Sequence, residues 1–99
     1  MVHTVRSKQL SVLAYANGFT HWHYKMEEQD NVIAEMIQDK KLQPYFLDIS
    51  PLHNILNPCD IIEVTCKTAK FSIYAKLFIT EIAVGGIAYK IIEEAVECF

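Results

Sequence analysis

The sequence predicts an α+β domain, mostly antiparallel β-structure in a small open barrel or sheet, with one α-helix near residues 30–42. Three observations lead there. Residues 61–79 alternate apolar and polar side chains with period two, the pattern of strands with one buried face. Asn17-Gly18 and Gly85-Gly86 tolerate the positive φ of tight hairpin turns. Val32, Ile33, Met36 and Ile37 recur at helical spacing. The 99 residues allow a single domain, and a 52% hydrophobic content excludes disorder, since so much apolar surface can offset the entropy of ordering.

In chain order, residues 1–9 are polar and expected to be loosely held. Residues 10–16 read as a short strand. A two-residue turn at Asn17-Gly18 would set Ala16 opposite Phe19, Tyr15 opposite Thr20 and Leu13 opposite Trp22, with Leu13, Tyr15, Trp22 and Tyr24 on one side. The helix over 30–42 has Asp30 or Asn31 as N-cap, Lys40 and Lys41 at the negative end of its dipole, and Pro44 to stop it. Residues 44–58 hold Pro44, Pro51 and Pro58 among many apolar residues, which predicts a lid across an open end of the sheet. A helical turn near 50–56 would have Ser50 as cap and Pro51 at its first position.

From Ile61 the pattern is β. Ile62, Val64 and Cys66 alternate with Glu63 and Thr65, and Phe71, Ile73, Ala75, Leu77 and Ile79 alternate with Ser72, Tyr74, Lys76 and Phe78. The phase slips at Thr80-Glu81, which predicts a β-bulge or sharp bend. A turn at Gly85-Gly86 would set Val84 opposite Ile87, Ile82 opposite Tyr89 and Glu81 opposite Lys90, a favourable cross-strand pair. Residues 87–99 also fit a helical stripe, but the turn and the charge match favour a strand over about 87–93.

Charge and cysteine content narrow the function. Nine Lys and Arg against twelve Asp and Glu give a net charge of −3, the wrong sign for a protein that displaces phosphate counterions, so no nucleic acid is expected. Cys59, Cys66 and Cys98 are odd in number and lack CxxC spacing, which suits reduced cysteines in a cytoplasmic protein with Cys66 in a core strand. The apolar run before Ala14-Tyr15-Ala16 is too short for a signal peptide, and no run approaches a membrane span. A cytoplasmic or virion-associated location is expected.

Few residues suggest chemistry. His21 and His23 project to one face of a strand, and with Glu27 could form a three-ligand metal set; the spacing resembles the first metal motif of cupins without its glycines. Cys59 has Asp60 beside it and His53 six residues earlier, but nothing marks an activated nucleophile. No phosphate-binding glycine loop or nucleophile elbow is present. Phe19, Trp22, Tyr24, Tyr45 and Phe46 form an aromatic group near Arg6, Lys8 and Lys25. The negative net charge favours reading it as core plus protein contact surface over a base-stacking platform.

The run Tyr15-Ala16-Asn17-Gly18-Phe19-Thr20-His21-Trp22-His23-Tyr24-Lys25 is followed by Asp30, Pro44-Tyr45-Phe46 and Asp60-Ile61-Ile62-Glu63-Val64. Together these resemble a group of short proteins from bacteria and their phages or prophages. That group has an N-G-F-T-x-W-x-Y-K/R pattern, a helix opened by Asp, a Y-F step and G-D-x-I-x-V entering a strand. The resemblance implies a small structural or accessory protein, virion-associated in some cases, with no catalytic residues. Where the pattern has Gly before Asp60, this chain has Cys59, so a differently built turn is expected there; position 21 in the pattern is usually apolar.

The resulting expectation is a non-enzymatic structural or interaction module that self-associates or binds another protein, with no cofactor and no membrane. The expected contact surface is Phe19, Trp22, Tyr24, Tyr45 and Phe46. The alternative is a cupin-like metal-binding protein or enzyme using His21, His23 and Glu27.

Overall fold

A computed structural model describes residues 3–16, 19–27, 33–39, 42, 47–83 and 86–99. Among the described residues seven strands and one helix follow one another: β1 (His3–Thr4), β2 (Leu10–Ala16), β3 (Phe19–Lys25), α1 (Ile33–Asp39), β4 (Leu47–Asp48), β5 (Ile61–Lys67), β6 (Phe71–Ala83) and β7 (Gly86–Cys98). Single 3₁₀ turns lie at Ser7–Gln9 and Ser50–Leu52. The main sheet has five strands in the order β2-β3-β5-β6-β7, and β1 pairs with β4 in a parallel two-stranded ribbon. Within the main sheet every neighbouring pair is antiparallel except β3–β5. The architecture is α+β, and the sheet is open, with β2 and β7 as its edges.

The alternation read from the sequence sets the buried face. Ile62, Val64 and Cys66 of β5 are buried, and they stand opposite buried Leu77, Ala75 and Ile73 of β6. Against this face pack Met36 of α1, Leu42, and Ile49, Leu52 and Leu56 of the proline-containing segment. Burying an aliphatic side chain of this kind contributes about 1.5–3 kcal/mol, so the segment over 47–56 is a structural layer. The segment is expected from the sequence to lie across an open end of the sheet; its described part instead packs on the buried face, with Ile49, Leu52 and Leu56 in the core.

The expected bulge is present, with Thr80 left between the Ile79–Tyr89 and Glu81–Ala88 pairs. It restores the phase so that Ile79 and Ile82 both serve the core side. The β6–β7 turn falls one residue earlier than expected: Ala83 pairs with Gly86, Ile82 with Ile87, and Lys90 with Phe78. The proposed Glu81–Lys90 pair is absent. An exposed charge pair contributes only about 0.2–1 kcal/mol, less than is gained by packing Ile82, Ile87 and Tyr89 against the core. β7 also runs to Cys98, well beyond residue 93, and no helix forms there. The thirteen residues of β6 supply a ladder along its whole length, which local helix propensity does not match.

At the N-terminal hairpin, Ala16 opposes Phe19 and Tyr15 opposes Thr20 as expected, but a bulge at Leu13 then shifts the register. Val12, not Leu13, faces Trp22, and Leu13 is 51% exposed. Asn17 and Gly18 lie outside the described residues, as do Asp30, Asn31, Lys40, Lys41 and Pro44. The segment expected to be loose is pinned at its start. His3 and Val5 are buried, the Val5 N–H donates to Asp48 O at 2.8 Å, and His3 Nε2 lies 2.7 Å from the Tyr24 hydroxyl. Ser50 is not the cap of the turn it begins. Instead its N–H and hydroxyl both donate to Asp48 Oδ1, at 3.1 and 2.6 Å, because a carboxylate is the stronger acceptor. Pro51 does sit in the first positions of that turn.

Asp60, 1% exposed, joins three parts of this frame. Its Oδ1 accepts the Thr20 N–H at 2.8 Å, and its Oδ2 accepts the Trp22 indole N–H and the Asn57 N–H, both at 3.0 Å. Its carbonyl accepts the Ile79 N–H at 3.0 Å, while the Cys59 N–H donates to Ile79 O at 2.8 Å. The turn into this knot has Cys59 at φ 74°, in the left-handed region that glycine adopts without steric cost. The position is thus geometrically a glycine position, not the differently built turn expected from the cysteine.

Two outcomes follow. Asp60→Ala leaves three N–H donors without their acceptor, at about 1–3 kcal/mol for each buried one. It should lower stability by at least about 3 kcal/mol in urea unfolding. Because Trp22 is the single tryptophan, its emission should shift red even in the folded fraction. Cys59→Gly should raise stability by about 1 kcal/mol through relief of the left-handed conformation, whereas Cys59→Ala, which keeps the Cβ, should not.

Candidate interaction surface

Of the five aromatic residues proposed as a contact surface, the three described ones do not share one exposed face. Tyr24 is fully buried, with its hydroxyl against His3 and its ring on the core side of β3. Trp22 is partly buried against the core and tied to Asp60 through its indole N–H. Phe19 is 37% exposed at the end of β3, and Tyr45 and Phe46 lie outside the described residues. Period-two alternation on β3 sends Trp22 and Tyr24 inward together, so these two were bound to share the core face.

The opposite face of β3 carries His21 and His23. Parallel pairing with β5 and antiparallel pairing of β5 with β6 set His23, Glu63 and Lys76 in one row, and Lys25, Thr65 and Tyr74 in the next. His21 Nε2 stands 3.2 Å from Glu63 Oε1 without the alignment of a hydrogen bond. Lys76 Nζ lies 3.9 Å from the same oxygen. His23 Nε2 is 2.6 Å from Thr65 Oγ1. Burial pushes the Tyr74 phenol above its usual range, and the negative charges of Glu63 and Glu93 add to the effect. The outer face is thus a lattice of mutually engaged polar side chains. Glu63 alone meets an imidazole and an ammonium group.

Of the proposed metal set, His23 and Glu27 line a shallow groove of about 400 Å³, together with Lys8, Ser11 and Lys25. His21 is turned toward Glu63. Among the described residues no three His, Cys, Asp or Glu side chains converge as a metal site. His53 Nδ1 lies 3.2 Å from the Ser50 carbonyl. Cys59, Cys66 and Cys98 are free thiols, and only Cys66 is buried. Among the described residues no helix is long and apolar enough to cross a membrane.

The remaining distinctive surface lies at the sheet edges. On β2 and the end of β3, Val12, Leu13 and Phe19 are exposed by 37%, 51% and 37%; on and just after β7, Ile92 and Phe99 are exposed by 50% and 72%. Leu13 and Ile92 are both bulged residues, left out of the pairings on either side of them. Sequence reading missed Leu13 and Ile92 as exposed because a bulge shifts alternation without changing composition. It missed the Glu63–Lys76–His21 cluster because no local signal announces the parallel β3–β5 pair.

Comparison with protein-family models, with curated proteins and with solved structures found no match for this chain.

A pH effect is expected from Tyr89, which packs against the core from β7. Burial, aided by the negative charge of Asp48, pushes its phenol up from 10.0 to about 12. Between these values the folded state keeps a proton that the unfolded chain releases, so stability should fall as pH rises through that window and be unaffected by it at neutral pH. Thermal unfolding followed from pH 9 to 12 should show this decline, and Tyr89→Phe should make it shallower.

Proposed function

We propose that this protein is a small non-enzymatic structural or interaction module that associates with copies of itself. The carrying observation is the pair of open sheet edges that expose apolar side chains, Val12 and Leu13 on one and Ile92 on the other. Unpaired strands present a row of backbone donors and acceptors, and isolated large apolar residues beside them favour association over a solvated edge. The polar groups on the outer face support the same reading, because they are engaged with one another and include no activated nucleophile with a base in reach.

The resemblance to short phage- and prophage-associated proteins agrees with a part that works by assembly, and makes a virion-associated or phage-derived role the natural setting. Light scattering coupled to size-exclusion chromatography tests the reading directly. A mass at least twice the 11.4 kDa of the chain is expected at micromolar concentration; a monomer at 100 µM would exclude it.

A further inference from the structure

We propose that the chain assembles head to tail, with the β7 edge of one copy pairing antiparallel to the β2 edge of the next to continue the five-stranded sheet. This rests on the self-association reading above and names its surface. Three features of the two edges match.

The first is direction. From β2 to β7 the sheet reverses at β2–β3, β5–β6 and β6–β7 and keeps direction at β3–β5, so β2 and β7 run antiparallel to each other. A copy added by translation alone meets its neighbour in the pairing common to the rest of the sheet, with both core faces on the same side.

The second is the level of the apolar residues. Pairings across the sheet put Val12, Trp22, Ile62, Leu77 and Ile91 in one row. The bulged Leu13 and the bulged Ile92 each lie within one residue of that row, on opposite edges. With no stagger between copies, exposed Val12 and Leu13 of one meet exposed Ile92 of the other. Bulges on edge strands discourage indiscriminate pairing; here they flank one row, Leu13 on its Ala14 side and Ile92 on its Glu93 side, and so narrow the registers open to the edges.

The third is charge. Ser11 shares a row with Glu93, and Lys25 shares the next outer-face row with Ala95, which stands between Glu93 and Glu97. Lys8, just before β2, falls nearer the Glu97 end. Lys8, Lys25, Glu93 and Glu97 are all exposed. The β2 side of the sheet thus carries Lys8 just before β2 and Lys25 one strand in, at the end of the sheet where the β7 edge carries Glu93 and Glu97. Pairing β7 with β2 sets Glu93 and Glu97 near Lys8 and Lys25, and a heterologous contact of this kind builds a ring or an open filament.

The test uses two double variants, Lys8→Glu/Lys25→Glu and Glu93→Lys/Glu97→Lys, each verified as folded by circular dichroism and examined by sedimentation at low salt. Each alone should dissociate at least tenfold more readily than the wild type, and an equimolar mixture should reassemble, because each restores the opposite charge to the other. An independent check needs no charge change at the lysines. In a Cys59→Gly/Cys98→Ser chain, cysteines introduced as Ser11→Cys and Glu93→Cys lie four strands apart, about 19 Å, too far to bridge within one copy. Buried Cys66 is left in place, and oxidation should give a ladder of covalent dimers, trimers and higher species that neither chain with one introduced cysteine gives. Assembly unaffected by the reversals, a mixture that stays dissociated, or oxidation without a ladder would overturn the edge pairing while leaving self-association standing. A wild-type monomer would remove both.

Discussion

The carboxylate of Asp60 receives N–H groups from the start of β3, from the Trp22 indole and from the loop at Asn57, while its own main chain is bonded to β6. A charge at this depth is tolerable only where fixed donors replace water. Here the donors come from segments far apart in sequence, so satisfying them requires that β3, β5 and β6 be side by side. That requirement aligns the parallel β3–β5 pair, in which His21 meets Ile61 immediately after the knot. The long connection between those strands must then cross one face of the sheet, and it carries Met36, Ile49, Leu52 and Leu56 into the core.

The two faces of the sheet separate structural and surface chemistry. On the core side the rows are aliphatic and aromatic, with Glu94 of β7 as an exception that uses its carboxylate to accept the Leu42 N–H at 3.1 Å. On the outer side the rows hold His21, His23, Glu63, Lys76 and Tyr74, each in reach of another polar group of that face or its rim. A surface so internally compensated has little charge left to recognise a ligand, whereas the edges retain both unpaired backbone and exposed apolar side chains.

The core takes up much of the apolar content of this short chain, and part of the remainder lies on the β2 and β7 edges. A domain of this size leaves a large share of its surface uncovered. Among the described residues the exposed large apolar side chains include Val12 and Leu13 on β2, Ile92 on β7 and Phe99 just after it, with Phe19 on β3 and Ile55 in the loop before β5. A bulge locally disrupts a ladder and strengthens its twist, and here one lies on each edge strand, at Leu13 of β2 and at Ile92 of β7.

Much of this fold was legible in the residues. Alternation from Ile61 to Ile79 determined β5 and β6 and which of their residues are buried, the slip at Thr80 determined the bulge, and the Met36 stripe determined the helix, because each is a local periodicity that burial of one face enforces. Tertiary structure decided what periodicity does not encode. It extended β7 to Cys98 along a partner strand, moved the hairpin register so that Ile87 could pack, bulged Leu13 outward, and drew His3 and Val5 into the core. It also brought His21 beside Glu63 rather than Glu27, since strand order is set by long-range contacts such as those of Asp60 and not by spacing along the chain. Cys59 joins the two levels. The sequence supplied a side chain at a glycine-like turn, and only the packed neighbours of Asp60 could hold it there.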